Sequence, residues 1–209
     1  MRFAVILYCF VCLLCFSLQF QDIQAQQSIK LASNPNISPD GLQITFSWRG
    51  DIWISSIEGG LAKQLTQNLA QDIQPKFSPD GSKVAFVSNR EGVNQVFVIS
   101  TTGGYPKQVT FHSEGSIVEG WHPNGQDLII RGKRDHFWKR ANRFFTISIT
   151  GRISEKLLFD AYGKSGSFSP DGKQFLFTRE GERSWRKGYT GSQASQIWCY
   201  HLFRDKTEQ

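Results

Sequence analysis

Two stretches of this chain concentrate side chains suited to recognition chemistry. Residues 131–143 carry Arg131, Lys133, Arg134, Lys139, Arg140 and Arg143 against one acid, Asp135. Residues 179–195 carry Arg179, Arg183, Arg186 and Lys187 against Glu180 and Glu182. Phe137, Trp138, Trp185 and Tyr189 are interleaved with them. Guanidinium forks grip carboxylates in pairs of hydrogen bonds, and planar rings stack on a bound group. Such a surface suits the carboxylate end of a peptide. It also suits single-stranded nucleic acid, or the face of a neighbouring domain on which the rings are buried and the charges stay wet. The expected contact set is Arg134, Trp138, Lys139, Arg140, Arg143, Trp185, Arg186, Lys187 and Tyr189, for a peptide or an adjoining domain. The whole chain has a net charge of +6. These two stretches more than account for it, so the basicity is local.

Other reactive residues point to turns and scaffolding. The sequence contains no Gly-x-Ser-x-Gly elbow, no Gly-rich phosphate loop and no His-Glu-x-x-His. His112 and Glu114 lie close together but have no further ligand type at metal spacing. Asp40, Asp80 and Asp171 stand in separate repeats, so they cannot converge on one cation. Cys9, Cys12 and Cys15 imitate a metal-cluster spacing, but the run around them is apolar and holds no other ligand type. No catalytic residue, metal or cofactor is therefore expected.

The elements that position the basic stretches are set by a tetrapeptide. Ser-Pro-Asp-Gly occurs at 38–41, 78–81 and 169–172, with a weaker copy, His122-Pro123-Asn124-Gly125, between them. The steps are 40, 44 and 47 residues, a period that marks a repeat architecture. Pro pre-sets φ at the second turn position, Asp or Asn tolerates the third, and Gly accepts the left-handed fourth. β-rich segments flank each copy, as in Pro75-Lys76-Phe77 before and Val84-Ala85-Phe86-Val87 after. Four short strands recur per repeat, which predicts an all-β fold, a β-propeller of about four blades. A β-sandwich is the runner-up, but it would not need near-identical turns at a fixed period. The expected blades are residues 32–66, 73–110, 116–158 and 164–209, the last lacking its outer strand. The basic stretches fall between the second and third strands of blades three and four, so they emerge side by side on one face.

Residues 1–25 differ from the rest. Arg2 precedes an unbroken apolar run from Phe3 to Phe16, then a polar stretch reaches Ala25. That is the layout of a secretory signal peptide cut after Ala25, with an uncleaved anchor as the alternative. The run is short against the roughly 20 residues of a membrane span. Export to the periplasm or another extracytoplasmic space is expected. An exported protein rarely meets nucleic acid, and that class of partner is set aside. Membrane contact is expected only through an uncleaved signal.

The unit Pro75-x-Phe77-Ser-Pro-Asp-Gly, then Val84-Ala85-Phe86, Arg90, Gly92, Val96-Phe97-Val98, Gly103-Gly104 and Val109-Thr110, resembles the repeat shared by TolB and tricorn proteases. The opening through Phe46 and Gly50-Asp51-Ile52-Trp53 resembles the start of the tricorn N-terminal six-bladed propeller. Trp185-Arg186-Lys187-Gly188-Tyr189-Thr190-Gly191 is similar to a stretch of its fourth blade, with Arg186 inserted and Thr190 where that family has Arg. The resemblance implies about four blades of a six-bladed propeller, a fragment of a larger serine peptidase whose catalytic domain lies far downstream. It implies a role as scaffold and substrate-access domain. Partners would be downstream domains of the same polypeptide, protomers of a homo-oligomer, or peptides. A TolB-like cell-envelope propeller that binds protein partners is the alternative.

Overall fold

Four antiparallel sheets of four strands each follow one another along the chain. A computed structural model describes residues 28–135, 142–150, 154–179 and 194–209. The expected signal segment, 1–25, lies outside them. Residues 31–209 form one unit; of the separate unit Met1–Lys30, only residues 28–30 are described.

Blade one holds β1 (Ser33–Ile37), β2 (Gln43–Trp48), β3 (Asp51–Ser56) and β4 (Lys63–Gln64). Blade two holds β5 (Asp72–Phe77), β6 (Lys83–Glu91), β7 (Val93–Ser100) and β8 (Lys107–Gln108). Blade three holds β9 (Ile117–Trp121), β10 (Asp127–Lys133), β11 (Asn142–Ser148) and β12 (Lys156–Tyr162). Blade four holds β13 (Lys164–Phe168), β14 (Gln174–Arg179), β15 (Gln196–His201) and β16 (Lys206–Glu208). The first strand of each blade touches the first strand of the next, so β1, β5, β9 and β13 surround the axis.

The sequence expectation is corrected in two places. Blade four has its outer strand: β16 pairs with β15, Cys199 opposite Glu208 and His201 opposite Lys206. It is only three residues long and mostly polar, so no apolar pattern announces it. In blade three β12 runs on to Tyr162, because a bulge against β11 carries the chain from Leu157 to Tyr162 while β11 advances only from Phe145 to Arg143. That bulge puts Phe159 into the core.

The tetrapeptide turns behave alike. In each Ser-Pro-Asp-Gly copy the serine hydroxyl donates to the aspartate carboxylate, at 2.5 Å for Ser38–Asp40 and Ser78–Asp80 and 2.6 Å for Ser169–Asp171. The amide five residues after the serine donates back to that hydroxyl, as in Lys83 to Ser78 at 2.9 Å. The Gly amide closes the turn on the serine carbonyl at 2.9 Å. In the His122 copy, Asn124 Oδ1 takes the amides of Gln126 and Asp127 at 3.0 and 3.1 Å. Successive turns touch. A Cβ built at Gly81 would lie 3.8 Å from the Pro39 ring, and one at Gly172 would lie 3.4 Å from Pro123.

The core is made between blades. Ile52, Ile54 and Leu65 of blade one meet Phe77, Val84, Phe86, Phe97 and Ile99 of blade two. The opposite face of blade two, Ala85, Val87, Val96, Val98 and Val109, meets Val118, Trp121, Leu128, Ile130, Phe145 and Ile147 of blade three. Ile129, Phe144 and Phe159 then meet Phe175, Phe177 and Tyr200 of blade four. A blade covered on both sides must be apolar on both, which is why Val84-Ala85-Phe86-Val87 is an unbroken run.

Blades are tied at two radii. Near the axis, the Phe77 amide donates to Asn36 Oδ1 at 2.7 Å and Trp121 Nε1 donates to the Lys76 carbonyl at 2.9 Å. At the rim, Lys63 Nζ donates to the Thr102 carbonyl at 2.5 Å and Lys107 Nζ to the Ile149 carbonyl at 2.7 Å. Lys63 and Lys107 each open the fourth strand of a blade, and each reaches a turn of the following blade.

Candidate functional site

Two cavities lie against the inner strands. Every inner strand carries a bulge of one extra residue against the second strand of its blade. In three of them the bulge puts a non-glycine residue in the left-handed region: Asn34 at φ 52°, Gln74 at 54° and Ser165 at 54°. All three stand four residues before a turn serine. Strain of this kind costs about 1–3 kcal/mol per residue and gathers at functional positions. These same three residues line a cavity of 180 Å³, with Pro35, Pro75, Ile117, Val118 and Arg131. A larger cavity of 430 Å³ lies toward the tetrapeptide turns, walled by Phe77, Trp121, Ile129, Phe168 and Phe175. Lys76 and Glu119 line both, and so mark the waist between them.

The charges at the waist are unequal in their engagement. Glu119 pairs with Arg131 and also accepts the Gly166 amide at 3.1 Å. Lys76 is half-buried on β5, and its ammonium has no ion pair or side-chain hydrogen bond among the described residues. Gly166 matters for packing as well. A Cβ there would stand 2.1 Å from the Phe175 ring and 3.0 Å from Phe144. The rings of Phe144, Phe159, Phe175 and Phe177 form the core between blades three and four, with centroids 5.0–6.4 Å apart, and Phe175 reaches the wider cavity.

The β2–β3 type hairpins and the blade-to-blade links share the opposite end from the tetrapeptide turns. Here the residues expected from the sequence divide. Trp138, Lys139, Arg140, Trp185, Arg186, Lys187 and Tyr189 lie outside the described residues. Arg134 binds Glu155 with two donors, one of them Nη2 at 2.8 Å, and also reaches the Gly115 carbonyl and the Ser116 hydroxyl. Its guanidinium sits 5.0 Å over the Phe145 ring. Arg143 pairs with Asp135 at 2.9 Å and Asp160 at 3.0 Å, and donates to the Tyr162 hydroxyl. Both arginines direct their charge into blade three itself.

Blade two explains Arg134. Arg90 pairs with Asp72, which is fully buried, at 2.9 Å. Its guanidinium lies 4.6 Å over the Phe97 ring. Arg90 and Arg134 both stand 12 residues after the first residue of their tetrapeptide turn, and Asp72 and Ser116 both stand six before it. Arg134 on Phe145 and Ser116 is thus the repeat's own brace. Gly132 makes room for it, since a Cβ there would stand 2.2 Å from Nη1. The signal was available in the repeat spacing, though not in the local run of basic residues. Lys76 and Gln74 had no such signal, because only the register of the inner strand shows that they reach the axis.

The sequence matches the family described as the tricorn protease N-terminal β-propeller domain, over residues 29–209. The chain belongs to that family. Tricorn protease homolog 1 of Streptomyces coelicolor is 29% identical over 169 residues, 77% of this chain and 15% of the relative. The uncharacterized peptidase YuxL of Bacillus subtilis is 29% identical over 201 residues, 75% of this chain and 30% of the relative. This tricorn-type propeller therefore spans well under half the length of these curated relatives. Among solved structures, a protein described as TolB from Agrobacterium tumefaciens superposes with a TM-score of 0.69 at 25% identity, covering 88% of this chain and 63% of that one. The tricorn protease gives 0.66 at 23% identity, covering 82% and 17%, which is a likeness of fold.

Proposed function

We propose that this chain is the non-catalytic propeller portion of an exported tricorn-like serine peptidase, and that it serves as scaffold and substrate-access domain. The observation that carries the reading is the cavity of 430 Å³ against the inner strands, walled by aromatic side chains. A wall of this kind accepts the side chains of an extended peptide, while the bulged inner strands present polar groups to its backbone. The downstream domains of the same polypeptide, or further protomers, are its partners. The basic and aromatic loop residues Trp138, Lys139, Arg140, Trp185, Arg186, Lys187 and Tyr189 contact those domains or the incoming peptide.

Gly120 tests the access role. It lines the wider cavity, and a Cβ there meets nothing within 4 Å. In the polypeptide that carries this propeller, Gly120→Trp should lower kcat/KM for oligopeptides by about tenfold or more, or about 1.4 kcal/mol. A single-residue amide substrate should be cleaved as before. Unchanged oligopeptide cleavage overturns the reading. The likeness to TolB favours a second reading, a cell-envelope propeller that binds protein partners. That reading gains if the polypeptide cleaves no peptide and captures an envelope protein instead.

A further inference from the structure

We infer that the open face of blade four docks a partner segment that carries apolar side chains and presents a lysine or arginine to Glu208. The inference rests on the reading of this chain as a propeller portion held against other domains, and it names the chemistry of one contact. Alternate residues of a strand share a face, and so do residues directly opposite in antiparallel strands. Cys199 lies opposite Leu176 on one side and Glu208 on the other, and His201 lies opposite Gln174 and Lys206. Leu176, Ile197, Cys199, His201 and Glu208 therefore share one face of blade four. Its apolar part is exposed at Leu176 and Ile197.

The repeat shows what is unusual about this face. Lys63 lies opposite Ile54, Lys107 opposite Val98 and Lys156 opposite Thr146, which is the place that Glu208 takes opposite Cys199. Glu208 thus stands where the first three blades have lysine. Lys63 and Lys107 donate to carbonyls in a turn of the following blade, those of Thr102 and Ile149. A further unit of the same build would bring a carbonyl to Glu208, so that two acceptors faced each other. Covering a carboxylate without giving it a donor is costly. The covering element must therefore supply a donor in place of the carbonyl, and a cation does so most strongly. A second copy of this chain is a poor fit for the same reason. Thr102 stands two residues after Ser100, and the matching residue of blade one, two after Ser56, is Glu58.

The carboxylate is set for this contact. His201 Nε2 donates to Glu208 Oε1 at 2.6 Å, and Gln174 Nε2 lies 3.5 Å from the other ring nitrogen. Oε2 keeps acceptor capacity, since Lys206 Nζ stands 3.9 Å from it, past hydrogen-bond length. Both side chains of that pair are well exposed, so it is weak and open to exchange.

The test is calorimetric titration of the 209-residue chain with a capped peptide of alternating leucine and lysine, and with its leucine–glutamate counterpart. The chain's net charge of +6 favours the acidic peptide at long range, so a preference for the basic one reports a local site. The basic peptide should bind at least about tenfold more tightly, as one charge-assisted hydrogen bond implies. Glu208→Gln should abolish that preference and Glu208→Lys should reverse it. Melting temperatures within a few degrees of the parent show that both variants fold. Equal binding of the two peptides overturns the basic partner. Preference retained in Glu208→Gln overturns the assignment to this residue. Binding of neither peptide overturns the docking face. Self-association of the parent chain by light scattering, lost in Ile197→Asp, makes a second copy the occupant and overturns the partner named here. Each of these outcomes leaves the access role to the Gly120→Trp result.

Discussion

Blade two and blade four carry the same register but live in different surroundings. Val96 and Ile197 occupy one repeat position on the third strand, and Ala85 and Leu176 occupy one position on the second, as the pairing of each with its neighbour shows. Ala85 and Val96 are completely buried under blade three, whereas Leu176 and Ile197 are 49% and 71% exposed. On the other face the blades agree, because Phe86 and Phe177 are both buried against the preceding blade. The strand pattern is thus a property of the repeat, while the energetic weight of each residue depends on which face a neighbour covers. The open face of blade four has the composition of a face that blade three covers in blade two.

The largest expected effect tests the shared face. Phe86→Ala and Phe177→Ala should each destabilise the chain by about 3–5 kcal/mol, measured from urea midpoints at constant m-value. A large cost for one and a small cost for the other would break the equivalence of the two blades. The divergent face comes next. Val96→Ser should cost about 2–4 kcal/mol, since it removes buried methyl groups and buries a hydroxyl without a partner. Ile197→Ser should stay within about 0.5 kcal/mol. If both serines cost alike, the face of blade four is covered in solution.

The smallest effect contrasts the turns. Hydrogen bonds hold the Asp40, Asp80 and Asp171 carboxyls below the usual carboxylate range, the serine hydroxyl first and a backbone amide also contributing. Ser82 adds a further bond at Asp80. A depressed carboxyl stabilises the folded state above its unfolded pKa, and the contribution fades as pH falls through the folded value. Stability should therefore decline as pH drops below about 4. Asp40→Asn, Asp80→Asn and Asp171→Asn together should flatten that part of the profile. The fourth turn, with Asn124, has no carboxyl at this position and should contribute nothing to the slope. An unchanged acid profile in the triple variant would assign the slope to other carboxylates.

The fold was legible because the turn residues act locally. Pro39, Pro79 and Pro170, each followed by Asp and Gly, force a turn whatever lies around them, and the strands are spaced from those turns. The fourth blade's outer strand was not legible, because Lys206–Glu208 has no apolar residue and owes its pairing to β15. Phe159 was missed for a related reason. A bulge disrupts the alternation of β12, and only the assembled blades show that its ring faces Phe175, Phe177 and Tyr200. At the site, the basic stretch at 131–143 read as a surface. Three of its arginines are paired within the blade: Arg131 with Glu119 of β9, Arg134 with Glu155 just ahead of β12, and Arg143 with Asp135 of the same stretch and Asp160 of β12. The axial position of Lys76 depends on four inner strands meeting, which no short window of sequence contains.

The paired ties between blades have a mechanical meaning. A joint fastened along one line can swing about that line, but a joint fastened along two separated lines cannot. Blades one and two are fastened at Asn36–Phe77 near the axis and at Lys63–Thr102 on the rim. Blades two and three are fastened at Trp121–Lys76 and at Lys107–Ile149. Swinging one of these blades against the next must therefore break a contact at one radius or the other.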